Sequence, residues 1–385
     1  MLGGIWTIVC SILVFALMIA IHEFGHFGAA KLFNIRVNQF AIGMGPTIWK
    51  KQRGDTLYSL RAIPMGGFCQ MEGEDEESDD ERSFSKAAWY KRFIVVIAGA
   101  TLNILLGFIL FLSIQSSLPS VNTTVISDFT ANTNLVDSDF RVGDRVVGVN
   151  GTKINIFEDL SFSLNRVTDE PVDVTVMRAG EKITRTVVPV KQEITYIYGE
   201  KEFSMISTIN GVEDEKQTIP APDNSEYKSL VGQSQTQSRY ILGFVPAQEK
   251  QTFIAAIKNA FYLTIYNIKI VYVSLYELIR GAVPASQISG PIGIINVIGQ
   301  VSKTNWQTLF NLIALLTVNL GIMNLLPIPA LDGCKLLIII VEAITRKRLP
   351  PEKEGIIQII GFVLLILLML FATYNDVVRL FTGWK

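Results

Sequence analysis

Four long apolar runs dominate the hydrophobic pattern of this 385-residue chain. They cover residues 5–32, 93–118, 308–343 and 356–371, and the last can extend to residue 381. A helix needs about 20 mostly apolar residues to cross a bilayer core. The pattern therefore predicts an α-helical polytopic membrane protein with four transmembrane helices. We interpret the first run as a retained helix and not as a signal peptide, because no Lys or Arg precedes it.

Basic residues beside the runs predict the orientation of the chain. Lys91 and Arg92 precede the second run, and an Arg-Lys-Arg sequence opens the loop 344–355 after the third. Such flanks favour the cytoplasm. With four spans, both termini and residues 119–307 are then extracytoplasmic.

One further segment is apolar but carries charges. Residues 251–307 are predicted to form an interfacial amphipathic helix and a connector, with the helix within 252–281. Burying Lys258 and Lys269 in the bilayer core would cost about 2.5–3.5 kcal/mol each. A fifth span would also move the Arg-Lys-Arg sequence outside. The helix is therefore expected to lie on the outer membrane surface.

Two polar regions separate the spans. Residues 33–92, after the 1–32 segment, alternate between short strands and turns, and Gly66 and Gly67 are typical of a tight β-hairpin turn. An acidic run in the same region is interpreted as a solvated cytoplasmic loop.

The second polar region, residues 119–250, alternates like a small domain of β-strands with one or two helices. Its part at about 193–238 is polar and turn-rich, and is interpreted as an insertion or mobile loop.

Composition narrows the classes of partner. The net charge of −1 provides no basic field, so nucleic acid is not expected as a partner. The lipid bilayer is expected as a partner because of the apolar runs. Only 18% of the residues are charged, below the roughly 25% of soluble proteins. Three cysteines suggest no disulfide framework.

The first apolar run contains a His-Glu-x-x-His motif, which indicates the chemistry of the protein. His22 and His26 lie four residues apart and therefore on one helical face, where both can bind one Zn²⁺. Glu23 can reach a metal-bound water as general base. These are the only two histidines of the chain, and ionisable groups inside a membrane span are usually functional.

A catalytic zinc site usually has three protein ligands. Asp332 is the best candidate for the third ligand. Pro327 and Pro329 break the apolar run just before it, and irregular backbone at membrane depth is expected to line a cavity. Glu342 and Cys334 are rival ligands.

Asn324 lies in the same break. Its amide is suited either to a developing oxyanion or an unwound substrate backbone, or to a hydrogen bond between helices. The residues alone leave both interpretations open.

Together these motifs resemble the site-2 protease family of M50-type intramembrane zinc metalloproteases, in its bacterial PDZ-containing regulator-of-sigma branch. The resemblance rests on HEFGH, QFAIGMGPTIW, LRAIPMGGFCQMEGE, FRVGDRVVGVNG, SGPIGI and NLGIMNLLPIPALDG. It implies His22, His26 and Asp332 as zinc ligands and Glu23 as base. Asn324 would contact the substrate.

The resemblance also implies a location in the plasma membrane of a bacterial cell, a fold and a substrate class. Residues 55–72, with Gly66 and Gly67, would form a membrane-dipping β-hairpin that pairs with the substrate, and 119–250 a PDZ-like α+β domain. Substrates would be single-pass membrane proteins such as anti-sigma factors, sometimes trimmed first by a site-1-type protease, or remnant signal peptides.

Two other functions fit parts of the pattern. A zinc transporter would need metal ligands repeated along a path, whereas this chain has one histidine pair. A non-catalytic membrane PDZ adaptor with a structural zinc site would need a fourth protein ligand. Neither alternative uses Glu23.

Overall fold

The structure is a computed structural model of the chain. It describes residues 2–74, 76, 78–130, 139–222, 225–284 and 288–382. Residues 75 and 77 of the predicted acidic loop and 131–138 of the predicted small domain lie outside this description. The chain divides into two compact units. One comprises Met1–Gln115 and Thr264–Lys385, and the other is Ser116–Leu263.

The helices, in chain order, are α1 (Leu2–Leu32), α2 (Trp89–Ser117), α3 (Phe157–Leu164), α4 (Ser225–Leu230), α5 (Phe253–Ile279), α6 (Pro291–Val301), α7 (Trp306–Asn324), α8 (Asp332–Thr345) and α9 (Pro351–Thr382). The strands are β1 (Val37–Arg53), β2 (Thr56–Met71), β3 (Ser120–Phe129), β4 (Arg145–Val149), β5 (Thr152–Lys153), β6 (Val172–Arg178), β7 (Glu181–Val187), β8 (Val190–Tyr198), β9 (Glu202–Ile209), β10 (Val212–Pro220), β11 (Ser234–Ile241) and β12 (Phe244–Lys250).

Four helices of the described chain, α1, α2, α7 and α9, are long and apolar enough to cross a membrane. Their large apolar side chains remain exposed on the outer faces, as for Leu13 on α1 and Phe362 on α9. A helix satisfies every interior backbone hydrogen bond within itself, which is what a lipid environment requires. The chain is thus a multi-pass membrane protein, as the apolar runs predict.

The third apolar run is two helices and not one. α7 ends at Asn324, and α8 begins at Asp332 after a break that carries Pro327 and Pro329. Proline lacks an N–H and its ring clashes with the preceding helical turn, so the helix stops there. Ala330 has a positive φ of 72°, and Leu331 is extended before α8.

The 251–307 segment contains a helix, α5, as predicted, and α5 is not among the membrane-crossing candidates of the described chain. It also contains α6, which the sequence analysis treats as connector. α6 begins beside α9, where the buried carboxylate of Asp376 accepts hydrogen bonds from the backbone N–H groups of Gly290 (3.0 Å) and Gly293 (2.8 Å). An acidic group at a helix N-terminus stabilises the helix.

The β1–β2 hairpin corrects one prediction. Its tight turn is at Gly54 and Asp55, and Gly66 and Gly67 lie inside β2. Residues 39–42 of β1 pair with 67–70 on one side and with 57–60 on the other. β2 therefore bends so that both of its halves contact the same part of β1. Gly66, with φ of +88°, supplies a conformation that other residues rarely adopt.

The second unit contains a sheet with the strand order β12-β3-β4-β6-β7, with β5 paired to β4 and α3 packed against the core. Alternate residues of the strands face inward, as Val172, Val174 and Val176 do on β6. Val146 of β4 and Leu160 of α3 are fully buried in the same core. This agrees with the predicted small domain of mixed strands and helix.

A buried ion pair joins the start of β4 to the end of β6. Asp144, 1% exposed, accepts two hydrogen bonds of 2.7 Å from Arg178 and one of 2.9 Å from the Arg141 backbone N–H. Burial raises the pKa of the Asp144 carboxyl, but these donors outweigh it and hold the pKa below its usual value.

The segment at 193–238 is not a structureless loop. It forms most of a second antiparallel sheet with the order β10-β9-β8-β11. Few of its side chains are large aliphatic ones, which explains why the pattern looked turn-rich. An aromatic cluster fixes one end, where the rings of Tyr198 and Phe203 lie 5.3 Å apart and Tyr227 lies 5.7 Å from Tyr198. Aromatic pairs of this kind stabilise a sheet without a large core.

Candidate metal centre

Three ligand atoms converge at one point in the first unit. His22 and His26 lie one helical turn apart on α1, and their Nε2 atoms are 3.2 Å from each other. Oδ2 of Asp332, the first residue of α8, lies 3.2 Å from the former and 3.3 Å from the latter. Both histidines are buried. Among the described residues, this is the group of His, Cys, Asp and Glu side chains with metal-binding geometry.

The residues fit a zinc ion. Two imidazoles and a carboxylate are a donor set typical of zinc. The centre of a triangle with these three sides lies about 1.9 Å from each corner, close to the roughly 2.0–2.2 Å of zinc bonds. Asp332 Oδ2 is buried and accepts no well-formed hydrogen bond within the described chain, although both Nε2 atoms are near. A cation between the three atoms would satisfy them all.

α2 passes directly beneath the histidines because of a glycine. A Cβ built on Gly99 would lie 2.4 Å from His26 Nε2 and 2.9 Å from His22 Cε1. Any side chain here would clash with the two imidazole rings. The Nδ1 atom of His26 lies 2.9 Å from the backbone oxygen of Val95, to which its N–H can donate. This hydrogen bond leaves Nε2 free to bind a metal.

The break between α7 and α8 places Asp332. Gly333 allows the chain to fold tightly, since a Cβ there would lie 2.2 Å from the backbone oxygen of Leu326. Gln358 of α9 accepts a hydrogen bond of 2.7 Å from the Ala330 N–H with its Oε1, which ties the break to the last helix. The irregular backbone between α7 and α8 is thus tied to a neighbouring helix.

The rival ligands lie elsewhere. Glu342 is buried and forms a 2.9 Å ion pair with Arg92 of α2. Cys334 is buried but does not belong to the group of converging ligand atoms.

A cavity of about 470 Å³ opens at the three residues and is lined also by Glu23, Phe68 and Gln358. Lys335 and Glu74 line it as well and form a 2.6 Å ion pair. Gly67 approaches Glu23 so closely that a Cβ there would lie 3.1 Å from Glu23 Cγ. The general-base candidate therefore shares a cavity with the metal-ligand candidates and lies against β2.

The two other predicted substrate contacts differ in position. Asn324 ends α7 with its Nδ2 atom 3.5 Å from His22 Nε2, so it lies at the centre. Gly66 lies instead against Met44 of β1, whose Cε would be 2.6 Å from an added Cβ.

The model of peptidase family M50 matches residues 10–368. This chain belongs to peptidase family M50. A Clostridium acetobutylicum protein with the provisional name zinc metalloprotease is 33% identical over 97% of this chain and 98% of its own length. The zinc metalloprotease RasP of Oceanobacillus iheyensis is 28% identical over 97% and 99%. The regulator of sigma-W protease RasP of Bacillus subtilis is 26% identical over the same shares.

These matches confirm three of the predictions. The recognised family is the site-2 protease family, M50, over nearly the whole chain. The enzyme class, a metalloprotease, and the cofactor, zinc, agree with the names of the relatives.

Some residues of the centre escaped the sequence analysis. Gly99 lies in the small-residue run Ala-Gly-Ala of α2, and such a run in an apolar helix signals close helix packing but not what is packed. Asn103, one turn further on, lies 3.4 Å from His22. Its polar side chain within an apolar span was the available signal.

Proposed function

We propose that this chain is an intramembrane zinc metalloendopeptidase that cleaves single-pass membrane proteins. One observation carries the proposal. The ligand atoms of His22, His26 and Asp332 converge in a cavity that also contains the carboxylate of Glu23. The helix α1, which supplies both histidines and Glu23, is long and apolar enough to cross a membrane. A peptide bond brought to this cavity would be cut where the surrounding lipid supplies no water of its own.

The residues divide the chemistry between them. His22, His26 and Asp332 hold the zinc, which when bound lowers the pKa of water and polarises a carbonyl. Glu23 accepts a proton from the attacking water and passes it to the departing amine nitrogen. Its neighbour Gly67 has no side chain, which lets β2 pack closely against Glu23.

Asn324 stabilises the negative charge that develops on the carbonyl oxygen of the substrate. Its Nδ2 group lies 3.5 Å from His22 Nε2, so the amide points towards the centre. An amide donor aimed at a developing oxyanion is a common element of acyl-transfer sites.

β2 presents the substrate as an extended strand. Residues 67–70 pair with 39–42 on one side, and the described strand pairs include no partner on the other side. Phe68, Cys69 and Met71 line the cavity, so this free edge borders the centre. A substrate strand added here would have its backbone exposed to attack, which a helical segment does not allow. Gly66 contributes the bend that turns this edge towards the cavity.

We assign the topology from the basic flanks. Lys91, Arg92 and residues 346–348 face the cytoplasm, and both termini are extracytoplasmic. Exposed Met44, Ile48 and Trp49 let β1 dip into the membrane.

The second unit and the helix α5 complete the arrangement. The sheet of β12, β3, β4, β6 and β7 with α3 supports a PDZ-like domain outside the cell, which docks or filters substrates. α5 lies on the outer membrane surface, because its two lysines favour the interface.

The relatives suggest the substrate class. One is named for regulating sigma-W, which is consistent with cleavage of an anti-sigma factor after a first cut by a site-1-type protease. Removal of remnant signal peptides uses the same chemistry. A non-catalytic PDZ adaptor with a structural zinc site is the alternative function. Three ligands leave a fourth zinc position open for water, which favours catalysis.

The test compares zinc content and cleavage of a single-pass model substrate in reconstituted full-length protein. The variants are Glu23→Gln and, as a matched control, Glu352→Gln, an exposed residue in the first turn of α9 that does not line the cavity. We expect about one zinc per chain in all proteins, with cleavage lost in Glu23→Gln alone. Cleavage retained in Glu23→Gln, or no cleavage by any protein despite bound zinc, would favour the adaptor.

A further inference from the structure

Asn103 of α2 is a fully buried side chain beside the metal centre. Its Nδ2 atom lies 3.4 Å from Nδ1 of His22. Its Oδ1 atom is also buried and has no hydrogen-bond partner within the described chain. A buried amide oxygen without a donor costs about 1–3 kcal/mol, so the arrangement calls for an explanation.

The position of the hydrogen on the His22 ring supplies this explanation. Nε2 of His22 faces Asp332 and His26, so a neutral ring that binds metal through Nε2 carries its hydrogen on Nδ1. An amide NH₂ group opposite Nδ1–H would place donor against donor. The oxygen and nitrogen of an amide have nearly the same shape, and their assignment follows from the hydrogen-bond network. Turning the amide over pairs Oδ1 with Nδ1–H and moves Nδ2 to the position that Oδ1 held.

We propose that Asn103 is a positioning residue whose Oδ1 accepts a hydrogen bond from Nδ1–H of His22 and holds the ring with Nε2 towards the zinc. This inference rests on the proposed zinc function. His26 has the equivalent bond to the backbone oxygen of Val95, at 2.9 Å. A hydrogen bond of this type fixes the tautomer and orientation of a metal-binding histidine.

The spacing along α2 matches the two histidines. Val95, Gly99 and Asn103 are four residues apart and therefore lie on one face of the helix. Gly99 lies against Nε2 of His26 and Cε1 of His22, and the acceptors for the two Nδ1 atoms lie one turn before and one turn after it. One histidine thus depends on a backbone oxygen, which no substitution removes. The other depends on a side chain.

The test measures zinc affinity by chelator competition in full-length protein, for Asn103→Leu and Asn103→Asp. Leucine has a similar size and accepts no hydrogen bond, whereas aspartate is a stronger acceptor. We expect about 10–100-fold weaker zinc binding in Asn103→Leu and near wild-type or tighter binding in Asn103→Asp. A residue that only fills space would give the opposite order, because a buried carboxylate is less tolerated than an apolar side chain.

The control is Thr317→Val. Thr317 is buried and donates a hydrogen bond of 3.3 Å to the backbone oxygen of Asn103, so the variant perturbs the same helix contact without touching the amide. Its zinc affinity should equal that of wild type. Wild-type affinity in Asn103→Leu, or weaker binding in Asn103→Asp than in Asn103→Leu, overturns the inference. If one variant fails to fold, the other is compared with wild type alone. Tenfold weaker zinc binding in Asn103→Leu then supports the inference, and tenfold weaker zinc binding in Asn103→Asp overturns it.

The outcomes separate this inference from the proposed function. If wild-type protein binds no zinc, or if Glu23→Gln still cleaves, the proposed function fails. If wild-type protein binds zinc and cleaves while Asn103→Leu binds zinc equally well, only the role of Asn103 fails.

Discussion

Replacing Gly99 with alanine should remove the metal while leaving the fold intact. The added methyl group would lie 2.4 Å from His26 Nε2 and 2.9 Å from His22 Cε1. An ordinary contact needs about 3.4 Å, so the His26 ring would have to move by roughly 1 Å. Zinc bonds tolerate about 0.2 Å. We therefore expect zinc affinity to fall by at least about 100-fold.

The cost to the fold should be small. Overpacking a core position costs about 1–3 kcal/mol. Alanine in place of glycine within a helix recovers about 0.8–1.0 kcal/mol. The net destabilisation is then about 0–2 kcal/mol, which a folded membrane protein of this size should survive.

Two matched substitutions separate the site from the packing. Gly107→Ala lies on the same helix and would also clash, at 2.3 Å from Val318 Cγ2, but far from the histidines. Gly28→Ala lies on α1 and has nothing within 4 Å. The assay is zinc retained after dialysis against a chelator, beside thermal melting. Wild-type zinc retention in Gly99→Ala, or equal zinc loss in Gly107→Ala, would refute the reasoning.

Three further predictions follow from the described geometry. Gly67→Ala should lower cleavage by up to about tenfold with zinc content unchanged, because its methyl group would lie 3.1 Å from Glu23 Cγ and shift that side chain slightly; kcat and metal analysis check this. Asn324→Ala should lower kcat by about 100-fold or more with little change in KM, and equal losses in zinc content would contradict that role. In the second unit, the pKa of Asp144 is lowered in the folded state. The ion pair with Arg178 should therefore stabilise the unit above the unfolded-state pKa of about 3.9 and cease to do so as the pH falls through the folded-state pKa. Hydrogen exchange of the β4 and β6 amides between pH 7 and pH 3 should show this loss, and Asp144→Asn should abolish it.

Much of the membrane architecture was predictable, because long apolar runs have one physical solution in lipid. The period of the helix predicted that His22 and His26 share a face, and the prolines before Asp332 predicted where the chain breaks. Both features depend on local rules. The structure brings the three residues together as those rules lead one to expect.

The hairpin was less predictable because two glycine sites compete for the turn. Gly54 and the pair at Gly66 and Gly67 each suit a tight turn, and the choice depends on pairing with residues 39–42, which lie far along the chain. The hydrogen bond from His26 to Val95 was also beyond reach, since a backbone oxygen has no signature in the sequence.

The sheet of β8 to β11 shows a different limit. Its strands are rich in Thr, Ser and Gln and have exposed side chains along much of their length, as β10 does throughout. Alternation between a buried and an exposed face is the main sequence signal for a strand. A small sheet without a large buried face lacks that signal, whatever its hydrogen bonding.

The separation of the ligands along the chain has a consequence for biosynthesis. His22 and His26 leave the ribosome with the first span, whereas Asp332 follows only after the large polar segment and the third span. At about 5–20 residues per second, the interval is roughly 15–60 s. Throughout that time the growing polypeptide lacks one of the three proposed ligands. The proposed zinc site is therefore completed only when membrane insertion is nearly finished.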